Sequence, residues 1–227
     1  MTGEDLRKAR QQKGWTQEQA ARRLGMTQAY LSMLENGRRG FSDSVLRRAL
    51  QKLEVAPTAL PLPVDPPVLR SPSDALRKEL GALGYPGFSY LHGKPHRNPA
   101  EVLFSALNES DLDMRVVEGL PWLASRYADM DWEWLVRNAK LHDRQNRLGF
   151  AVTLAQELAA RAKDGDRATK LQGQLPAPER SRLAREDTFC HDSLTEAERK
   201  WLRQNRPSAA ERWNLLTDLT AEHLTSV

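Results

Sequence analysis

The chain has 227 residues and a single cysteine, Cys190, so it can form no internal disulfide and is not a disulfide-stapled secreted scaffold. It has no run of about 18 apolar residues, which leaves no segment able to span a bilayer as a helix. The opening stretch, MTGEDLRKARQQKGW, lacks the apolar core of a secretion signal, so the expected compartment is a reducing cytoplasm with no membrane partner. Hydrophobic residues make up 40% and charged residues 28%, with a mean hydropathy of -0.64, which excludes a mostly disordered chain.

Catalytic signatures are also scarce. There is no Gly-rich phosphate loop and no GxSxG element. His92 and His96 stand close together in HGKPH, but Gly93 and Pro95 prevent the helical face that would aim both at one metal, and no further ligand cluster accompanies them. Cys190 and His191 are adjacent, which does not establish the hydrogen bond a nucleophile and its base require. Asp111, Asp113, Asp129, Asp131 and Glu133 read as helix caps and first-turn charges. The expectation is a non-enzyme that needs no cofactor and no metal.

Positive charge is concentrated at one end. Residues 1–55 carry eleven Lys/Arg against six Asp/Glu, whereas residues 56–227 carry 23 against 24. A small basic module on a near-neutral body suggests a partner that is a polyanion, most simply nucleic acid. Between the two lies VAPTALPLPVDPPVLRSPSD, whose prolines at 57, 61, 63, 66, 67 and 72 fix φ and remove backbone donors. The expected organisation is a head over residues 1–55, a proline-rich linker over 56–71 and a helical body over 72–227.

Every strong periodic segment of the body has helical spacing, with Ser71 expected to cap a first helix beginning at Pro72. The pattern predicts helices near 73–83, 99–108, 111–118, 121–128, 131–144, 146–163, 178–187, 194–204 and 208–224. Residues 84–98 read as an irregular loop and 164–176 as a polar break. The fold class is therefore all-α.

The head is the most specific part of the sequence. Leu6 and Ala9 mark the inner face of a first helix, and Thr16 with Gln19 forms a capping box for a second. Ala20 and Leu24 face inward, Gly25 allows a tight turn, and Thr27 caps a third helix whose Leu31 and Leu34 join the same core. Two helices across a three-residue turn leave the outer face of 27–36 free to enter a DNA major groove. Through Gln17, Ala20, Ala21, Gly25, Thr27, Leu31, Leu34, Glu35, Asn36 and Gly37, this segment resembles the phage-repressor/Cro-like helix-turn-helix of the Xre family.

That resemblance implies a structural ion pair between Arg10 and Glu35, aligning the first helix and setting an arginine near phosphate. It implies base contacts from Thr27, Gln28, Ala29, Tyr30, Ser32 and Met33, with Gln28 the foremost. A glutamine can pair bidentately with adenine N6 and N7. Phosphate contacts would come from Gln17, Asn36, Arg38 and Arg39, while Arg22 and Arg23 read equally well as a solvated helix face. Family members generally bind inverted repeats in double-stranded DNA as two-fold dimers, so a homodimer is expected.

The body holds five of the six tryptophans. Tryptophans at helical spacing read first as core, and any that are exposed would be candidate anchors for a protein partner; Trp132 and Trp134 lie two apart and cannot share one helix face, so one of them is a candidate for partial exposure. With GYPGFSYL and NPAEVL before it, the stretch EGLPWLASRYADMDWEWLVRNAKLHDRQNRLGFAV is similar to the C-terminal regions of Xre-type antitoxins that accompany nucleotidyltransferase-type toxins. This resemblance implies an autorepressor whose body restrains a toxin protein. A repressor whose body senses a small molecule, or only dimerises, is the alternative.

Overall fold

The computed structural model describes residues 2–53, 55–66, 73–91 and 93–224, and these are mostly helical. They form two compact units, one comprising residues 1–62 with Lys94–Asn98 and the other residues 63–93 with 99–227.

The first unit contains α1 (Gly3–Gln12), α2 (Gln17–Leu24), α3 (Gln28–Glu35) and α4 (Asp43–Leu53). Reciprocal capping boxes start α1, through Thr2 and Asp5, and α2, through Thr16 and Gln19. Leu6 and Ala9 of α1, Ala20 and Leu24 of α2, Leu31 and Leu34 of α3, and Val45 and Ala49 of α4 close one core. The turn between α2 and α3 depends on Gly25, which ends α2 at φ 64° and donates its N–H to the Ala21 and Arg22 carbonyls.

The proline-rich segment is less uniform than its composition suggests. Pro57–Ala59 forms a 3-10 turn, and the Asn98 amide donates to the carbonyls of Thr58 (2.9 Å) and Leu60 (2.7 Å), so Leu60 is buried. By its packing, the first unit thus continues beyond Val55 to Leu62. Ser71 and Pro72, the expected cap and first position of the next helix, lie outside the described residues, as does His92.

The second unit contains α5 (Ser73–Ala82), α6 (Pro99–Asn108), α7 (Met114–Arg126), α8 (Trp132–Leu141), α9 (Gln145–Arg161), α10 (Gly165–Gln172), α11 (Pro176–Arg180), α12 (Glu196–Asn205) and α13 (Ser208–Arg212). Two short strands, β1 (Asp187–Thr188) and β2 (Leu215–Leu216), pair in parallel. The centre is α9, buried along nearly all of its first three turns and packed by α7, α8, α10, α11 and α13.

Several sequence expectations are corrected here. The helices expected at 111–118 and 121–128 are one, α7, with Pro121 inside it. Loss of one backbone donor does not outweigh burial of Val116, Leu120, Leu123 and Ala124. The polar break at 164–176 contains α10, which starts where Asp164 accepts a hydrogen bond from Arg167 N. The helix expected over 178–187 stops at Arg180 because polar side chains of α9 capture the chain beyond it. Gln145 donates to Ser181 O, and Asn146 exchanges two hydrogen bonds with Leu183 in place of a backbone pairing. The helix expected over 208–224 ends at Arg212, after which Asn214 takes a left-handed φ of 52° and β2 begins.

Arg147 supplies the charge at the middle of this unit. Only 1% exposed, it donates to Asp187 through two bonds (2.9 and 2.8 Å), to Asp192 (3.2 Å) and to the carbonyls of Leu107 and Glu109. One buried guanidinium thereby ties α9 to the end of α6 and to the loop carrying β1. Two residues on, Gly149 lies against the buried Trp213 ring, and an added Cβ would sit 2.2 Å from a ring carbon.

Candidate nucleic-acid interface

Helix α3 divides cleanly into two faces. Leu31, Leu34 and Glu35 are buried; Thr27, Gln28 and Ala29 are exposed; Tyr30, Ser32 and Met33 lie at intermediate depth. The side chain of Thr27 accepts from Tyr30 N at 3.2 Å, fixing the start of the helix, so Thr27 is already engaged as a cap. Gln28 makes no side-chain hydrogen bond among the described residues, which leaves both its donor and its acceptor outward on the first turn.

A buried carboxylate holds the other end of α3. Glu35 has a fully buried side chain and accepts from Arg10 Nε (2.6 Å), Arg10 Nη2 (3.1 Å) and Gln17 Nε2 (2.9 Å). It therefore joins α1, α2 and α3 at one point. Burial alone would raise its pKa, but the hydrogen bonds from Arg10 and Gln17 outweigh burial and hold it below the ordinary glutamate value. Arg10 also donates to Trp15 O at 2.8 Å and its side chain is 12% exposed, so this guanidinium is directed at the carboxylate and the Trp15 carbonyl.

The expected phosphate contacts are distributed unevenly. The Gln17 amide is held by Glu35, and Gln17 is the first residue of α2 after the Thr16 cap. Asn36 is exposed, but its amide donates to Ser32 O (2.8 Å) and its oxygen accepts from Arg7 Nη2 (2.6 Å). Arg38 and Arg39 are exposed and neither guanidinium has a partner among the described residues. Arg22 pairs with Glu18 at 3.3 Å, and Arg23 stacks 4.1 Å from the Trp15 ring centre, so both have structural partners within the head.

Arg7 was missed from sequence. It lies one turn before Arg10 on the same face of α1, bonds Asn36, approaches Glu35 at 3.8 Å and remains 41% exposed. The i, i+3 arginine spacing was the available signal.

This geometry coincides with a helix-turn-helix family model that matches residues 6–60. A curated relative, the "Uncharacterized HTH-type transcriptional regulator y4dJ" of Sinorhizobium fredii (strain NBRC 101917 / NGR234), is 38% identical over 65 residues, spanning 29% of this chain and 84% of the relative. The chain belongs to the helix-turn-helix family of transcriptional regulators. No solved structure matches it.

In this helix-turn-helix regulator the head is thus a DNA-binding module of the Xre type. Among the described residues no helix is long and apolar enough to cross a membrane.

The tryptophan pair of the body takes the core reading and not the anchor reading. Trp132 and Trp134 are both buried, at 9% and 7% exposure, so neither is the partly exposed anchor. The reason is that each indole N–H finds an acceptor on its own side of α8. Trp132 donates to Ala128 O and Trp134 to Pro63 O, the latter also meeting the edge of Phe104. Cys190 is buried, donates to Ala106 O at 3.4 Å, and burial pushes its thiol up to about 11. It is held as a neutral thiol, the opposite of an activated nucleophile. His96 is exposed in the segment Lys94–Asn98, where it borders a pocket of about 210 Å³ with Leu50, Val55, Pro57 and Leu60 of the same unit.

Proposed function

We propose that this regulator is a sequence-specific repressor that binds an inverted-repeat operator as a homodimer, and that it is the antitoxin and autorepressor of a toxin–antitoxin operon. In this reading the head reads DNA, the proline-rich segment over 56–71 links it to the body, and the helical body from residue 72 holds the toxin, a nucleotidyltransferase-type protein.

The observation that carries the DNA reading is the free amide of Gln28 on a helix whose far end is locked by Glu35. A base-reading side chain discriminates only when its helix is held in register, and a bidentate glutamine–adenine pair is worth roughly 1–3 kcal/mol of discrimination. Ala29 would meet a thymine methyl, with Thr27, Tyr30, Ser32 and Met33 flanking the contact. Arg38 and Arg39 would take phosphates, the start of α2 at Gln17 another, and Asn36 would serve chiefly by holding Arg7 at the same edge. Two heads related by a two-fold axis would read half-sites about one DNA turn apart. The antitoxin part is supported by the resemblance of the body.

The test is to co-express the tagged chain with the product of the adjacent gene and follow both complex formation and growth. A stable complex together with relief of toxicity is expected. A toxic neighbour that neither binds nor is neutralised would overturn the antitoxin reading, as would a neighbour with no toxicity.

A further inference from the structure

Large apolar side chains that remain in water need a reason when they cluster. Met114 is 55% exposed and Trp201 53%, and they border the same groove. Its floor is apolar and buried, formed by Val117, Phe189, Leu202 and Leu216. Four parts of the body therefore build it: the first turn of α7, the segment after β1, the middle of α12 and strand β2 with the residues that follow it.

The groove encloses about 250 Å³. That is below the roughly 300–1,000 Å³ of pockets that bury a drug-sized ligand, and suits one or two anchoring side chains of a protein. Tryptophan and methionine are suited to such a rim, one as a rigid contact surface and the other as an adaptable one.

The acidic side chains in the lining number two, and no lysine or arginine among the described residues is in it. The carboxylates that line it are Asp218, exposed and without an ion-pair partner among the described residues, and Glu198. Glu198 uses one oxygen to cap α12 through Thr195, and its pKa is held low by that hydroxyl and by the Thr195 backbone N–H. His191 is the remaining titratable group in the lining. Arg199 of α12 is turned to the Leu194 and Asp192 carbonyls. An apolar slot with an acidic rim complements a segment that presents apolar residues between lysines or arginines.

We propose that this groove is the body's docking site for a protein partner, taking an amphipathic, basic helix whose apolar residue enters between Met114 and Trp201. This inference assigns a surface to the partner binding proposed above and rests on that reading for the partner's presence, though the surface can be tested without the partner.

The probe is a synthetic helical peptide with leucines at i, i+3 and i+4 flanked by lysines, and a control peptide with glutamate for every lysine. Binding to the full chain is followed by tryptophan emission, with a Trp201→Phe variant isolating the Trp201 signal. The expected result is a blue shift of Trp201 emission with the basic peptide alone, and at least tenfold weaker binding in Met114→Lys and in Asp218→Lys. These substitutions are at exposed positions, and unchanged circular dichroism verifies that the variants are folded. Equal binding of the two peptides, no binding of the basic one, or full binding by both variants would overturn the proposal. Sedimentation at rising concentration provides a further check: self-association abolished by Trp201→Lys would assign the groove to a second copy and overturn the basic-partner assignment. If the co-expressed neighbour binds wild type and Trp201→Lys equally, the groove is wrong and the partner reading stands. If the neighbour binds neither while the peptide result holds, the partner reading fails and the groove stands.

Discussion

Each unit of this regulator is organised around one buried charge, and the two charges are opposite in sign. In the head Glu35 collects donors from α1 and α2; in the body Arg147 distributes donors to two aspartates and two backbone carbonyls. The head's hub orients a helix whose other face is free for DNA. The body's hub fastens a loop whose strand pairing among the described residues is limited to β1 against β2. The same device thus serves presentation in one unit and closure in the other, and in both, removal of one partner leaves a charge buried and unpaired.

The largest effect is expected from Arg147→Met, which leaves the Asp187 carboxylate without its guanidinium and takes a donor from the Leu107 and Glu109 carbonyls. It should cost the body about 4 kcal/mol. Hydrogen exchange resolved along the chain should show the loss in α6, α9 and residues 181–192, with the α1–α3 core unchanged. Exchange that accelerates equally in both units would mean that the two hubs are not independent.

Next is Glu35→Gln, which strands Arg10 and should cost the head about 3 kcal/mol, read the same way. The pH dependence sharpens it. The Glu35 carboxyl titrates below its ordinary value of 4.5 in the fold, so its stabilisation is complete above that value and is lost as pH falls through the folded pKa. The stability gap between wild type and Glu35→Gln should therefore narrow below about pH 4.5. A gap constant with pH would contradict a charged Glu35. Asp187 follows the same rule in the body: burial would raise it, but the bonds from Arg147 hold it below its ordinary range.

A smaller effect separates turn from hub. Gly25→Ala forces a side chain into a left-handed conformation and brings its Cβ 3.0 Å from Arg48 Nη1, and should cost about 1–2 kcal/mol in thermal unfolding of the head. The smallest is Arg38→Ala, expected to leave stability unchanged and to weaken all DNA sequences alike, reducing the salt slope of binding by about one unit.

The two units also differ in how far they could be read in advance. In the head, Thr16, Gly25 and Thr27 announce caps and a turn, and the apolar positions repeat with few ambiguities. The positions of α2 and α3 and the face of α3 left outward were legible for that reason. Asn36 was not, because its capture by Arg7 depends on a contact between α1 and the end of α3. In the body, the helix pattern was readable through Leu158 apart from α7, which the sequence divided at Pro121, but nothing local sets Asn146 and Arg147 apart from the other polar residues of α9. The burial of these two, and the conversion of 181–187 and 213–216 from expected helix into loop and strand, follow from tertiary hydrogen bonds that no local period carries. Trp201 shows the converse: a tryptophan on an amphipathic helix reads as core, and here it is half exposed.

The claim at the centre of this account is that the outward edge of α3 reads DNA sequence through Gln28. Selecting duplexes from a random pool with the full-length wild type and with Gln28→Ala tests it most directly. The account predicts that wild type enriches an inverted repeat and that Gln28→Ala loses preference at one base pair in each half-site while keeping the rest. Identical preferences from the two proteins, or no enriched sequence from the wild type, would contradict it.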